Sequence, residues 1–280
     1  MIKVFFKNSW GEDPRALLRR YSKQTPRCEG KWKNIVGVSN INDADYCIIL
    51  GGPHTRCGFN PDKTVYVKRE PRFIEREVGK FKHSILWKDS HCGITWWLNK
   101  TYDELKELKY PHKEKLASCV VSSKHNHRRA LVQKIFEHKT TNIDIFGRWD
   151  QPQRLGKSYR GTLSYDGNCK FLGLYPYKWS IVLENSQESN YWTEKLADAY
   201  LSWCIPIYWG CPNVSDYFST DSYNTIEITD NTPYETLKQI TEKPITPTQI
   251  EALRRARALI LDTYNIWEII RKKIEEINKK

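Results

Sequence analysis

The chain has 280 residues, 39% of them hydrophobic and 28% charged, with eleven Trp, sixteen Tyr and a single Met. This composition excludes a disordered, fibrous or low-complexity chain, and the length supports one large domain or two of ordinary size. No apolar run reaches the roughly 20 residues of a membrane-spanning helix; the formal net charge of +12 suits a lysine-rich solvated surface, or contact with a phosphate-bearing ligand, an acidic glycan or an anionic membrane.

Residues 2–7 (IKVFFK) read as an opening strand. The start MIKVFFKNSW turns polar too quickly for a signal peptide, so the expected protein is soluble and made in a cytoplasm. A helix is expected after Asp13-Pro14, with the proline in its first turn. Residues 42–50 (NDADYCIIL) have the polar lead and apolar finish of a buried strand, closed by Gly51-Gly52-Pro53. Further strands are expected at 64–69, 85–87 and 94–98, and strands alternating with short helices make residues 1–100 an α/β lobe. Residues 101–115 are charged, are broken by Pro111 and read as a linker. A second α/β lobe spans 116–246, with strands at 116–122 and 143–146, a helix at 128–138 and a short strand at 225–228. Residues 247–280 read as helical, with Leu253, Ile260, Trp267, Ile270 and Ile274 in an apolar stripe suited to packing across both lobes. The eight cysteines form no CxxC pair and are expected as free thiols, and no His/Cys cluster has zinc spacing.

Residues 177–210, YKWSIVLENSQESNYWTEKLADAYLSWCIPIYWG, read as strand, polar loop, helix and strand, a βαβ unit of a parallel sheet. Ligands of such sheets sit beyond the carboxyl ends of the strands. The loop there carries Glu184, Asn185, Ser186, Tyr191, Thr193, Glu194 and Lys195. A lysine in a first helical turn opposes the helix dipole, which makes sense where a bound anion shares the ammonium and the helix N–H groups. A solvated lysine lying over apolar surface is an equal alternative. Arg128 and Arg129 open the helix of a neighbouring junction and are placed to converge on the same pyrophosphate, although arginine pairs are more often plain surface charge. Glu70, at a strand end between Arg69 and Pro71, is either a general base facing a cleft or half of an ion pair with Arg69 or Lys68, and the pattern alone favours the ion pair. The DxD string of Asp43 and Asp45 leads straight into an apolar strand and reads as turn chemistry. No glycine-rich phosphate loop is present.

The run from Tyr177 through CPNVSDYF closely resembles the donor-binding signature of family 10 glycosyltransferases, the α-1,3/4-fucosyltransferases, nearest to the short bacterial members. The resemblance rests on E-N-S, Y-x-T-E-K and I-P-I-Y-W-G at family spacing. It extends through SYRGTLSYD and VVSSKHNHRR and covers about residues 115–230; in the first lobe only DADYCIIL and VYVKREPRF look familial. It implies a GT-B fold of two Rossmann-like lobes facing a cleft, acceptor-side over 1–100 and donor-binding over 116–246, with a C-terminal helical tail. It also implies inverting transfer of L-fucose from GDP-β-L-fucose to a glycan hydroxyl, α-1,3-linked to a GlcNAc or Glc type sugar. Arg129 and Lys195 would bind the pyrophosphate; Asn185, Ser186, Tyr191, Thr193 and Glu194 would line the donor pocket; Glu70 would be the catalytic base. No metal site or cofactor is expected beyond the GDP-sugar donor, with divalent metal at most stimulatory. The expected partners are that donor and an oligosaccharide acceptor, without nucleic acid or a transmembrane segment and with scope for peripheral membrane contact. The alternatives are a transferase using another GDP-sugar and an inactive glycan- or nucleic-acid-binding relative. Leu183, Ser123, Trp192 and Trp203-Cys204 depart from the family pattern, so the identity of the sugar is less constrained than that of GDP.

Overall fold

The structure is a computed structural model and describes residues 1–52, 58–71, 81–136, 142–163 and 169–279. Among the described residues the strands form two sheets. The first contains β1 (Ile2–Asn8), β2 (Lys31–Trp32), β3 (Ile35–Val38), β4 (Tyr46–Leu50), β5 (Thr64–Val67) and β6 (His83–Ile85) in the order β2-β3-β1-β4-β5-β6. Only β2 runs antiparallel. Asn8 lies opposite Leu50, Leu50 opposite Val67, and Val67 opposite Ile85, so four parallel strands finish at one edge. All five residues of β4 are buried, as a strand covered on both faces requires. Helix α1 (Pro14–Ser22) covers one face; Asp13 caps it by accepting from the N–H groups of Arg15 and Ala16, each at 3.0 Å. The string Asp43/Asp45 is turn chemistry: Asp43 closes a short 3-10 turn and Asp45 accepts from the Lys3 N–H at 2.7 Å.

The connector between the lobes holds a short helix, α2 (Tyr102–Glu107), closed at its start by a reciprocal Thr101–Glu104 capping box and pinned by the fully buried Leu105. The second sheet contains β7 (Lys115–Val120), β8 (Ile143–Phe146), β9 (Tyr177–Leu183), β10 (Ile205–Trp209) and β11 (Asn224–Thr225) in the order β11-β10-β9-β7-β8, all parallel. Its helices are α3 (Asn126–Phe136), α4 (Cys169–Leu172), α5 (Glu194–Leu201) and α6 (Pro233–Thr241). Helix α5 ends before Trp203, whose φ of +60° cannot continue a helix.

Several expectations need correction. Residues 94–98 make one isolated bridge, Ile94 to Asn265, and no strand. Ile94, Trp96 and Leu98 are buried because the segment threads between the lobes, where the Trp97 N–H donates to Asp198 Oδ1 at 3.0 Å. The strand expected at 85–87 ends at Ile85, and that at 225–228 is two residues long. The helix expected at 128–138 begins two residues earlier; its last two positions lie outside the described residues. The C-terminal pattern is two helices, α7 (Pro247–Ala258) and α8 (Ile266–Asn278), separated by a π turn at Leu259–Thr263 and recapped by Asn265. Leu253 and Ala256 of α7 join the core of the second lobe, whereas Ile266, Trp267, Ile270 and Ile274 of α8 join that of the first. Trp267 Nε1 donates to the Tyr21 carbonyl at 2.9 Å and Trp32 Nε1 to Glu268 Oε2 at 2.8 Å, locking α8 onto the first sheet. Cys28, Cys47, Cys92, Cys119, Cys204 and Cys211 are free thiols.

Candidate donor site

At the carboxyl end of β9, Glu184 is fully buried. Its two oxygens accept from the Thr193 N–H and the Thr193 hydroxyl, both at 2.7 Å. The strand end is thereby tied to the N-cap of α5, and the eight residues between Glu184 and Thr193 are closed into a loop. Lys195 Nζ stands inside this closure, 3.1 Å from Thr193 Oγ1, 3.1 Å from Glu194 Oε1 and 3.4 Å from Glu184 Oε2. Burial pulls the Lys195 ammonium down, but Glu194 and Glu184 outweigh it and hold the group above its ordinary value. Burial acts upward on Glu194, and Lys195 with Lys170 overcomes it, leaving that carboxyl at about 2. Burial dominates at Glu184, whose carboxyl is raised despite the nearby ammonium. Space is short around this clamp. A Cβ on Gly210 would stand 2.5 Å from Glu184 Cγ and 2.4 Å from the Tyr208 hydroxyl.

The neighbouring β7–α3 junction contributes Arg128. Its side chain is buried, its NH1 donates at 3.4 Å to the Leu183 carbonyl, and its Nε has no hydrogen-bond partner among the described residues. Burial lowers this guanidinium below its usual value, and Glu184 is the strongest opposing charge. Asn185 Oδ1, one residue past Glu184, is likewise buried without a partner among the described residues. Buried polar atoms are satisfied in the great majority of cases, so a donor and an acceptor left open at one sheet edge fit a polar ligand. Arg129 points elsewhere and donates to Asn126 Oδ1 at 2.9 Å on the exposed side of α3. Ser186 hydrogen-bonds Glu188 within the loop at 3.0 Å.

The loop also reaches the other lobe. Tyr191 is buried in the core of the first lobe, its ring 5.1 Å from and perpendicular to that of Trp87. Burial raises its hydroxyl, and the charges of Glu184, Glu194 and Glu70 push the same way. Glu70 of the first lobe and Glu184 of the second thus act on one phenol. The guanidinium of Arg69 is held by the Gly93 carbonyl at 2.8 Å and Thr95 Oγ1 at 2.9 Å. Beside this, His91 stacks on Trp192 with ring centroids 3.9 Å apart; its Nε2 donates to the Trp192 carbonyl at 3.1 Å and its Nδ1 accepts from the Gly93 N–H. Burial brings its pKa down to about 3, so the ring is neutral in this contact.

With this geometry in hand, residues 110–243 match the family described as glycosyltransferase family 10 (fucosyltransferase), C-terminal part. The matched stretch is just under half of the chain and contains Arg128, Glu184 and the 185–195 loop. An α-(1,3)-fucosyltransferase of Helicobacter pylori is 33% identical over 142 residues, 51% of this chain but 26% of its own length. The chain therefore spans about a quarter of that curated relative. A solved α1,3-fucosyltransferase with GDP-fucose superposes with a TM-score of 0.50 at 19% identity, over 100% of this chain and 90% of the other. A DNA-modifying β-glucosyltransferase gives 0.54 at 10% identity, over 99% and 98%. At such identities the likeness speaks for the fold, and the fold is GT-B.

Sequence reasoning placed Asn185, Tyr191, Thr193, Glu194 and Lys195 at this junction; the structure joins Thr193, Glu194 and Lys195 to Glu184 there, whereas Tyr191 is buried in the core of the first lobe. Sequence reasoning named Glu184 among the polar groups of the loop without giving it a role in the site, and it assigned the pyrophosphate to Arg129 and not to Arg128. The available signal for Glu184 was its position as the first polar residue after an apolar strand. Which of two adjacent arginines faces inward depends on where α3 starts, and the sequence pattern left that open by two residues.

Proposed function

We propose that the chain is an inverting fucosyltransferase that uses GDP-β-L-fucose. One observation carries the reading: Arg128 Nε and Asn185 Oδ1 are buried and unpartnered beside Lys195, at the carboxyl edge of a family 10 sheet. A nucleoside diphosphate offers acceptors to the first and donors to the second. In this reading Arg128 and Lys195 hold the diphosphate, with Arg129 outside the inner contacts. Asn185, Ser186, Tyr191, Thr193 and Glu194 shape the pocket for the ribose and the sugar. Glu70 takes the proton from the acceptor hydroxyl as that oxygen attacks the fucosyl anomeric carbon. The bond from that carbon to the β-phosphate oxygen breaks, GDP leaves with the electron pair, and inversion yields an α-fucoside. Preformed cations that meet charge developing on the leaving group are each worth a few kcal/mol of barrier. The reading requires no metal, and it predicts that a chelator leaves transfer unchanged.

The reading is tested by GDP and GDP-fucose in thermal unfolding, followed by transfer of labelled fucose to a glycan array. A ligand at one hundred times its Kd adds about 2.7 kcal/mol of stability. Stabilisation by both nucleotides with label on glycans supports the proposal. No shift with either nucleotide, or transfer from a different GDP-sugar in place of fucose, overturns it.

A further inference from the structure

Trp10 is 59% exposed. Single apolar side chains on a surface are ordinary, and Leu172 of the second lobe is one of these. Trp10 differs in place and in support. It follows β1 by two residues, at the edge where β1, β4, β5 and β6 end in register and where Glu70 also emerges. Its ring lies over the turn after β4: a Cβ on Gly51 would stand 3.0 Å from Trp10 Cη2 and 3.3 Å from Cζ2. Gly51 adopts a φ of +89°, which favours glycine, and any side chain there would lift the indole off its seat. The loop that carries Trp10 is held shut from below. Asn8 accepts from the Glu12 N–H at 3.1 Å and donates to Glu12 Oε2 at 3.0 Å, and Arg20 pairs with the same carboxylate at 2.7 Å. Those polar groups are engaged with one another, and the indole stands exposed above them.

We propose that Trp10 is a stacking platform for a saccharide unit of the acceptor, adjacent to the unit that bears the attacking hydroxyl. The proposal deepens the fucosyl-transfer reading and takes the cleft as the acceptor's, as that reading does. A pyranose presents an apolar C–H face, and an indole covers it with a large rigid surface at low entropic cost. The strands β1 and β5, which end just before Trp10 and Glu70, stand two spacings apart, about 10 Å, a separation that suits neighbouring units of an oligosaccharide better than a single ring. Selection at Trp10 is by shape and apolar cover, not by charge.

The test uses the fluorescently labelled chain on an array of neutral and sialylated oligosaccharides, without any donor, alongside Trp10→Ala and Trp10→Phe. Wild type is expected to be retained on a subset of the glycans. Trp10→Ala should weaken that binding about tenfold, equivalent to about 1.4 kcal/mol, and Trp10→Phe should keep most of it. GDP affinity by calorimetry should be equal in all three and shows that the cleft is folded. Equal glycan binding by Trp10→Ala, or a GDP affinity that falls in step with glycan binding, overturns the proposal, as does wild type that retains no saccharide. If Trp10 governs saccharide binding and yet no fucose is transferred from GDP-fucose, the donor reading fails while the platform stands.

Discussion

Replacing Arg128 by Met separates ligand binding from fold stability at one residue. Among the described residues this guanidinium makes one hydrogen bond, at 3.4 Å to the Leu183 carbonyl, and its Nε is unpartnered. It sits in a buried place that disfavours its charge. Met fills a similar volume, so removing the cation recovers desolvation and forfeits one long hydrogen bond and the attraction of Glu184, which keeps Lys195 at 3.4 Å. The net change in stability should lie within about 1 kcal/mol, a Tm shift of about 2–4 °C at most for a protein of this size. Bound GDP would lose one charge-assisted hydrogen bond, worth roughly 1.5–3 kcal/mol, so its affinity should fall about 10- to 150-fold. Calorimetric titration of GDP at fixed salt, paired with thermal unfolding of the free protein, reads both quantities. Arg129→Met, which disturbs only an exposed contact to Asn126, should change GDP affinity less than about threefold. If Arg128→Met keeps full affinity, or Arg129→Met is the variant that loses it, the reasoning from buried unpartnered atoms is wrong.

Thr193→Val removes the α5 N-cap and both hydroxyl contacts within the clamp; a loss of about 2–3 kcal/mol, or about 4–12 °C in Tm, should be seen by calorimetry. Gly210→Ala forces a methyl group against Tyr208 and Glu184, so GDP binding should be lost together with at least about 1 kcal/mol of stability, measured by denaturant titration. Glu70→Gln should abolish fucose transfer in a radiolabel assay while GDP affinity stays within about twofold; unchanged turnover would remove Glu70 from the base role. At Glu268 burial acts upward but Arg271, Trp32 and Lys33 prevail, bringing the carboxyl to about 2 from 4.5. Its contribution is therefore complete above pH about 4.5 and is lost as the pH falls toward 2. Urea midpoints of the wild type should drop across that window, and Glu268→Gln should flatten the fall.

Much of the architecture was legible because strand and helix patterns agreed with local chemistry. The apolar run YCIIL and the pair Leu183/Trp209 closing two parallel strands are of this kind. The segment at 94–98 misled because its alternating buried residues look the same whether they face a sheet or thread between two lobes. Helix α6 and the β2–β3 hairpin went unread, being short elements stabilised by tertiary contact more than by propensity. The donor loop was legible from its polar side chains. The ordering residue of that loop, Glu184, and the inward-facing arginine were not, since both are defined by partners far along the chain.

The route taken by α8 has a consequence for the order in which the molecule can assemble. The first sheet is complete by Ile85, yet the cavity under Phe6 and Tyr21 is filled by Trp267, whose ring meets Phe6 edge-on at a centroid distance of 5.0 Å. Until residues 266–278 arrive, that lobe exposes an apolar floor and leaves Trp32 Nε1 without Glu268. The second lobe has its strands and α7 within residues 115–258, and the other members of its core, Ile94, Trp96, Leu98, Leu105, Ile260 and Leu261, lie just before or after that span, so it does not wait for α8. The first lobe therefore forms last although it is encoded first, and a chain stalled short of α8 would present a finished second lobe beside an unfinished partner prone to aggregation.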